Sequence, residues 1–278
     1  VIQRNLFFGR NKVGRFWSLL FLSVPILGVA AFVFAVIPGG IFANHWLPED
    51  ISQHGAVIDN LFMFIMYLTG VVFIVTSFLL FWFMWKYDAD RNTEPVKYVH
   101  GSHTLEIIWS IIPAATLLFI AIFQMDAWAD ARMKYPTDKE TGVKKPPLLL
   151  VTGRQFEWRM QYAGKDEIIG TPDDIHLVND LRIPVNEEIV IQIQTQDVLH
   201  SFFLPNMRIK QDVVPGMKQH IWFEAKKTGT YDIVCAELCG WGHYKMRGRL
   251  IVQSEDDFKE WMANAIAEQN KTSLNVNE

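Results

Sequence analysis

Cysteine is nearly absent from this 278-residue chain, occurring only at Cys235 and Cys239. Two cysteines cannot build a disulfide framework. Standing four apart, they also do not form the Cys-x-x-Cys-His pattern that attaches haem, so no haem is expected on this chain. Basic residues are missing altogether from 38–60. Net charge is only −4, and residues 1–125 balance 7 basic against 7 acidic side chains, while 126–278 carry 19 against 23. With no basic surplus anywhere, a nucleic-acid partner is not expected; the mildly acidic second half is compatible with a basic protein partner. No internal repeat is visible.

What the chain does have is long apolar runs, all before residue 130. A basic start (Arg4, Arg10, Lys12, Arg15) leads into Phe16 to Ile37. That run is longer than the core of a signal peptide and long enough to cross a bilayer, so it reads as a retained helix. Leu61 to Trp85 is a second span, closed by Trp82, Trp85 and Lys86, and residues 105–125 form a third, with Trp109 and Trp128 at its ends as the headgroup belt favours. Pro113 inside the third span is tolerable in a membrane helix. Basic residues precede the first span and recur between the second and third (Lys86, Arg91, Lys97), which places those segments in the cytoplasm. The C-terminal half then lies on the outer side. The expected division is a membrane domain over 1–125 (spans 16–37, 61–85 and 105–125) and an outer domain over 126–278.

Past Asp126 the pattern turns to short alternating runs: Leu148 to Thr152, Gln155 to Tyr162, Leu181 to Pro184, Glu188 to Thr195, His220 to Ala225, Gly229 to Val234 and Arg249 to Gln253. Regularly spaced short strands imply a sandwich or barrel. Ser254-Glu-Asp-Asp257 reads as an N-cap with an acidic first turn, and Phe258, Trp261, Met262 and Ile266 fall on one face of the short helix that follows. From Asn270 the chain is polar and reads as a disordered tail.

The chemistry concentrates in Cys235-Ala-Glu-Leu-Cys239-Gly-Trp-Gly-His243-Tyr-Lys-Met246, with His200 upstream in Asp197-Val-Leu-His200-Ser-Phe. Thiolate and thioether are soft donors that favour copper, and two thiolates on one tight loop can be shared between two metal ions, each then needing an imidazole. Taken alone, a Cys-x3-Cys pair also fits a disulfide, a zinc half-site or a redox dithiol. Zinc has little use for the methionine.

This constellation resembles the binuclear copper (CuA) site of cytochrome c oxidase subunit II, whose pattern is His-Ser-aromatic followed by Cys-x-Glu-x-Cys-x3-His-x2-Met. The resemblance runs over roughly residues 60–265, through Lys210-Gln-Asp212 and Val214-Pro215-Gly216. It implies a cupredoxin fold for the outer domain, so the whole chain is expected to be three transmembrane α-helices followed by an all-β cupredoxin domain with a short C-terminal helix. It implies two copper ions held by bridging Cys235 and Cys239, terminal His200 and His243, and weakly by the Met246 thioether and the Glu237 carbonyl. It further implies a magnesium ion shared with subunit I through the Glu237 carboxylate. The implied function is to take electrons from a cytochrome c-type donor and pass them to haem in subunit I. The partners would be subunit I, other oxidase subunits and membrane lipid. The implied location is a bacterial-type inner membrane, with the copper domain on the periplasmic side. Relative to the family's two helices, the first span is an extra one.

Two positions carry further roles. Glu106 reads either as an interfacial carboxylate complementing a helix dipole or as a proton-path carboxylate; the resemblance places it at the inner mouth of a proton channel. The family's Gln-Trp-x-Trp, whose first Trp receives electrons, appears here as Gln155-Phe156-Glu157-Trp158. That puts Phe156 at the receiving position, Trp158 at the second aromatic, and favours a membrane-tethered donor or one within a supercomplex. Asp197 and Asp212 could steer a basic donor, or Asp197 could accept a hydrogen bond from a ligand histidine. His45, His54, His100 and His103 are left unassigned. The rivals are a quinol oxidase subunit II, which lacks the copper ligands, and a membrane-tethered copper chaperone or thiol–disulfide assembly factor, which gives Met246 no role.

Overall fold

The computed structural model describes residues 13–42, 46–88, 95, 98 and 100–275. Arg4, Arg10, Lys12, Arg91, Lys97 and His45, used or weighed above, lie outside these residues.

Among the described residues, three helices are long and apolar enough to cross a membrane: α1 (Val13–Val36), α2 (Gly55–Lys86) and α3 (His103–Phe123). Lipid offers no partner to a polar group, and several hydroxyls in these helices bond backward along the helix. Thr69, Thr76 and Thr116 each donate to the carbonyl four residues earlier at 2.8 Å. Pro25 and Pro113 sit inside α1 and α3 without ending them. Arg15 lies over the Trp85 ring at 5.5 Å and Lys86 over Trp82 at 5.9 Å, the pairing of cation and indole that suits an interface.

Residues Glu49–Asn60 and Ile122–Glu278 form a second compact unit. It opens on α4 (Met125–Arg132) after α3. The strands are β1 (Leu149–Arg154), β2 (Glu157–Tyr162), β3 (Ile175–Val178), β4 (Asp180–Pro184), β5 (Glu188–Thr195), β6 (His200–Leu204), β7 (Ile209–Val213), β8 (Gln219–Glu224), β9 (Gly229–Cys235) and β10 (Arg247–Gln253), before the closing α5 (Glu255–Asn275). One sheet runs β3-β2-β1-β5-β8 and the other β4-β10-β9-β6-β7. Pairing is antiparallel except for β1 with β5 and β4 with β10. The alternation seen in the sequence is the alternation of burial: Trp158, Met160 and Tyr162 of β2 and Ile189, Ile191 and Ile193 of β5 point into one core with Phe202, Leu204 and Leu250 of the opposite sheet. This is the expected two-sheet sandwich.

The expected C-terminal helix is present, with the Ser254 hydroxyl accepting from the Asp257 N–H at 3.1 Å as its cap. Phe258 is buried, and Trp261, Met262 and Ile266 pack on the core, Trp261 edge-on to Tyr162 at 5.2 Å. The helix continues to Asn275, which corrects the expectation of disorder from Asn270: its polar last turns contain no helix breaker.

The segment ahead of α2 is tied into this unit. Ile51 is buried in its core, Ser52 bridges to Ala225, and Asp59 takes a two-pronged ion pair from Arg208, whose side chain is largely buried, at 2.7 and 2.9 Å.

Candidate metal centre

β9 carries Cys235 at its last position and β10 begins one residue after Met246, so the chemistry lies on the loop joining two paired strands. The loop mouth is closed by the Cys235 N–H donating to the Met246 carbonyl at 3.1 Å. On the neighbouring strand, β6 begins with His200, and the Ala236 N–H donates to the Ser201 carbonyl at 3.0 Å. A single 3-10 turn, His243–Lys245, folds the far end of the loop back so that His243 and Met246 return toward the cysteines.

The donors converge. One ligand atom from each of His200, Cys235 and Cys239 lies within 4.8 Å of the others, and all three residues are buried. The Cys235 and Cys239 sulfurs are 3.8 Å apart, far beyond the ~2.05 Å of a disulfide, and both are free thiols. Each sulfur faces an imidazole: Cys235 Sγ is 3.9 Å from His200 Nδ1, and Cys239 Sγ is 3.7 Å from His243 Nδ1. Met246 Sδ approaches Cys239 Sγ at 3.7 Å, and the Glu237 carbonyl oxygen stands 3.3 Å from Cys235 Sγ. Two buried thiols, a buried and a half-buried imidazole, a buried thioether and a carbonyl converge to form a soft donor set. It fits copper better than zinc, which is bound by Cys, His and carboxylate.

The surroundings fix these groups. His200 Nε2–H donates to Asp197 Oδ1 at 2.8 Å, which leaves Nδ1 as the free lone pair facing the sulfurs. Asp197 also accepts from the N–H of Gln155 at 2.8 Å and of Val198 at 2.6 Å. Burial raises its carboxyl, but these donors and the His200 ring outweigh it and hold it below the ordinary carboxylate value. Burial would lower His200, yet Cys235 and Asp197 raise it. In the two thiols, burial acts upward in both. At Cys235 the His200 ring and the N–H of Ser201 and Glu237 reverse it, to about 6; at Cys239 the neighbouring Cys235 thiolate adds to it, to about 12.

Glycine allows the packing around the pocket. A Cβ at Gly153 would stand 3.1 Å from the His200 ring, and one at Gly242 would stand 2.5 Å from the Phe156 ring. The Gln155 side-chain amide donates to the Cys239 carbonyl at 2.5 Å, holding the loop to the β1–β2 turn.

Among the aromatic positions, Trp158 is fully buried, edge-on to Phe202 at 5.1 Å and 5.9 Å from the His200 ring, so it offers a donor no surface. Phe156 is half-buried beneath Trp241, ring centroids 5.2 Å apart. Asp212 accepts from the Ser201 hydroxyl at 2.7 Å and pairs with Lys210 at 3.7 Å. Its contacts, like those of Asp197, are spent within the domain.

Glu106 lies in the first turn of α3, exposed, with His103 Nδ1 3.1 Å from its Oε2. His100 stands edge-on to Tyr98 at 4.9 Å. His54 is buried, its Nδ1 3.2 Å from Asp130 Oδ2 and its ring edge-on to Trp222 at 4.7 Å.

Sequence reading named the six donor residues and weighed Asp197. It missed Gln155, whose role depends on the β1–β2 turn reaching a loop more than eighty residues away, Gly153, whose lack of a side chain makes room for the His200 ring of another strand, and Trp241, which no metal pattern requires.

Comparison with known proteins follows the same outline. The family model for the cytochrome c oxidase subunit II periplasmic domain matches residues 149–255, and the one for the subunit II transmembrane domain matches residues 44–126. Cytochrome c oxidase subunit 2 of Alkalihalophilus pseudofirmus is 33% identical over 213 residues, 76% of this chain and 59% of that protein. Its counterpart from Thermostichus vulcanus is 29% identical over 261 residues, 77% of each chain. The probable subunit 2 of Rickettsia bellii is 30% identical over 225 residues, 76% of this chain and 79% of that protein.

Proposed function

Because this chain belongs to the cytochrome c oxidase subunit II family, we propose that it is the electron-accepting subunit of a haem–copper oxidase. It would take single electrons from a cytochrome c-type donor and pass them to haem in subunit I, where oxygen is reduced. Cys235 and Cys239 would be shared by two copper ions, His200 and His243 would each serve one, and Met246 and the Glu237 carbonyl would bind weakly. When bound, the coppers supply a one-electron redox couple. The observation that carries this reading is that each of two unbonded buried thiols faces its own imidazole, with a thioether alongside.

The residues of the chain contribute rigidity. The Asp197 carboxylate orients the His200 ring, the Gln155 amide pins the Cys239 carbonyl, and the strand pairing of β9 with β10 fixes the ends of the loop. Ligands that move little between redox states keep the reorganisation accompanying each electron small, and burial keeps water from the sulfurs.

Three further roles belong to the same proposal. The half-buried Glu237 has no hydrogen bond or ion pair for its carboxylate among the described residues, which supports its reaching a magnesium ion completed by subunit I. Glu106, beside His103 at the start of a membrane helix, supports proton intake from the inner side. Three apolar helices support a multi-pass protein of a bacterial-type inner membrane, the copper unit on its periplasmic side, with subunit I, other oxidase subunits and lipid as neighbours. The free thiol pair also bears on the assembly-factor reading, but that reading leaves the converging Met246 unexplained.

The test is metal analysis of the purified complex against its Cys235→Ser and Cys239→Ser variants. Two coppers attributable to this chain, reduced in either variant, support the proposal. A parent with none, or with a Cys235–Cys239 disulfide, refutes it.

A further inference from the structure

The metal loop carries three exposed apolar side chains: Leu238 (76% exposed), Trp241 (78%) and Tyr244 (76%). Trp241 differs from its neighbours in being held in place. Its indole stands edge-on to Phe156, which itself lies against Gly240 and Gly242, and the Lys245 ammonium sits over its face at 4.6 Å. An exposed indole loses little side-chain entropy on binding when it is already fixed, and tryptophan is enriched among residues that carry binding energy. Trp241 is also two residues from Cys239 in one direction and two from His243 in the other. Its π system therefore connects through two short peptide paths to both halves of the donor set. Phe156 is half-covered and Trp158 fully buried, so neither presents a comparable face.

The geometry points to Trp241 as the residue through which the donor docks and electrons reach the metal loop, with Phe156 as the ring that supports it. The inference rests on the electron-accepting role proposed above. One electron would leave the donor's ferrous haem, which becomes ferric, and pass through the indole to the oxidised copper pair that Cys235, Cys239, His200 and His243 would hold, reducing it by one electron; no covalent bond forms or breaks and no proton moves.

The charge on this face specifies the donor further. Lys245, over the indole, and Arg154, two residues before Phe156 in the chain, are exposed and have no carboxylate partner among the described residues. Asp197 is engaged by His200 and two backbone N–H groups, and Glu157 by Arg159 at 2.8 Å. The partner that fits is a haem protein with carboxylates around its exposed haem edge, rather than one ringed by lysines.

The experiment uses the intact oxidase complex at low ionic strength, with two probes: an acidic soluble c-type cytochrome and a basic one. Dissociation constants are measured by co-sedimentation, and the copper electron paramagnetic resonance spectrum is recorded for every variant. Trp241→Ala is expected to weaken the acidic cytochrome by about tenfold or more while leaving the copper spectrum as in the parent. Trp241→Phe, which keeps a ring on Phe156, should lose less. Lys245→Glu, which leaves the indole in place, should weaken the acidic probe and strengthen the basic one. Unchanged binding in Trp241→Ala, tighter binding of the basic cytochrome by the parent, or loss of the partner subunit from the Trp241→Ala complex would each overturn the inference; the last would mean that the indole packs inside the assembly. A parent complex without a copper signal would instead bring down the electron-accepting role itself.

Discussion

Replacing Asp197 by asparagine tests how much of the metal centre is built by residues that never touch the metal. The carboxylate accepts four hydrogen bonds, from His200 Nε2, the Gln155 N–H, the Val198 N–H and, at 3.4 Å, the Thr195 hydroxyl. An asparagine side chain keeps the size but has one accepting oxygen; its NH2 must face either the His200 ring or the Gln155 N–H, donor against donor. A hydrogen bond to a charged group contributes about 1.5–3 kcal/mol and a neutral one about 0.5–1.5 kcal/mol. The net loss at the His200 contact is then about 1–2 kcal/mol, or about 5–30-fold in copper affinity. Variants of residues orienting metal ligands commonly lose about 10–100-fold, which overlaps this range. The assay is competition between the metal-free full-length chain in detergent and a chelator of known copper affinity, with Asp197→Ala as the more severe control. Binding by Asp197→Asn within twofold of the parent would refute the reasoning, because His200 would then need no fixed tautomer.

Three other outcomes are expected. Gly242→Ala would drive a methyl to 2.5 Å from Phe156, so it should destabilise the copper-loaded protein by about 1–3 kcal/mol; adding Phe156→Ala should recover part of the Tm, and a double variant no better than the single would contradict the packing. Copper uptake at pH 8 should release at least one proton per chain, that of Cys239, whose thiol is pushed up to about 12; a dye titration showing no release would mean that both thiols were already ionised. The Asp197–His200 pair should shape the pH dependence of metal-free stability. Asp197, held below its ordinary 3.8, contributes fully above that value and loses its contribution as pH falls through its folded pKa. His200, raised above 6.5, contributes fully below that value and loses its contribution as pH rises through its folded pKa. Thermal melts should therefore be highest between the two ordinary values, and Asp197→Asn should flatten both flanks; an unchanged profile in the variant would count against the pair.

The donor set was legible in the sequence because its chemistry is local: five of the six donor residues fall within Cys235 to Met246, and a run of soft ligands has few other uses. The membrane helices were legible for a similar reason, since uncharged runs of that length have few soluble fates. Strands buried on one face were visible by alternation, as in Glu157–Tyr162 and Glu188–Thr195. β3, β6 and β7 were not visible as strands, being four or five residues long and, in β6, lacking a polar alternation because His200 to Phe202 are all buried. Nor could the sequence reveal the parallel pairings of β1 with β5 and β4 with β10, which join segments about forty and seventy residues apart. The same non-locality hid Gln155 at the Cys239 carbonyl and Gly153 at the His200 ring. Trp241 received no role from the sequence, because its significance lies in exposure and in what it covers, neither of which a residue pattern encodes.

The central claim is that two buried thiols and two imidazoles hold a pair of coppers that share one unpaired electron. The measurement that meets it most directly is the electron paramagnetic resonance spectrum of the oxidised, copper-loaded chain, alongside its copper content. The account predicts two coppers per chain with a hyperfine pattern from one electron spread over two nuclei, lost in Cys235→Ser and in Cys239→Ser. A pattern from a single copper nucleus, at one copper per chain, would contradict it.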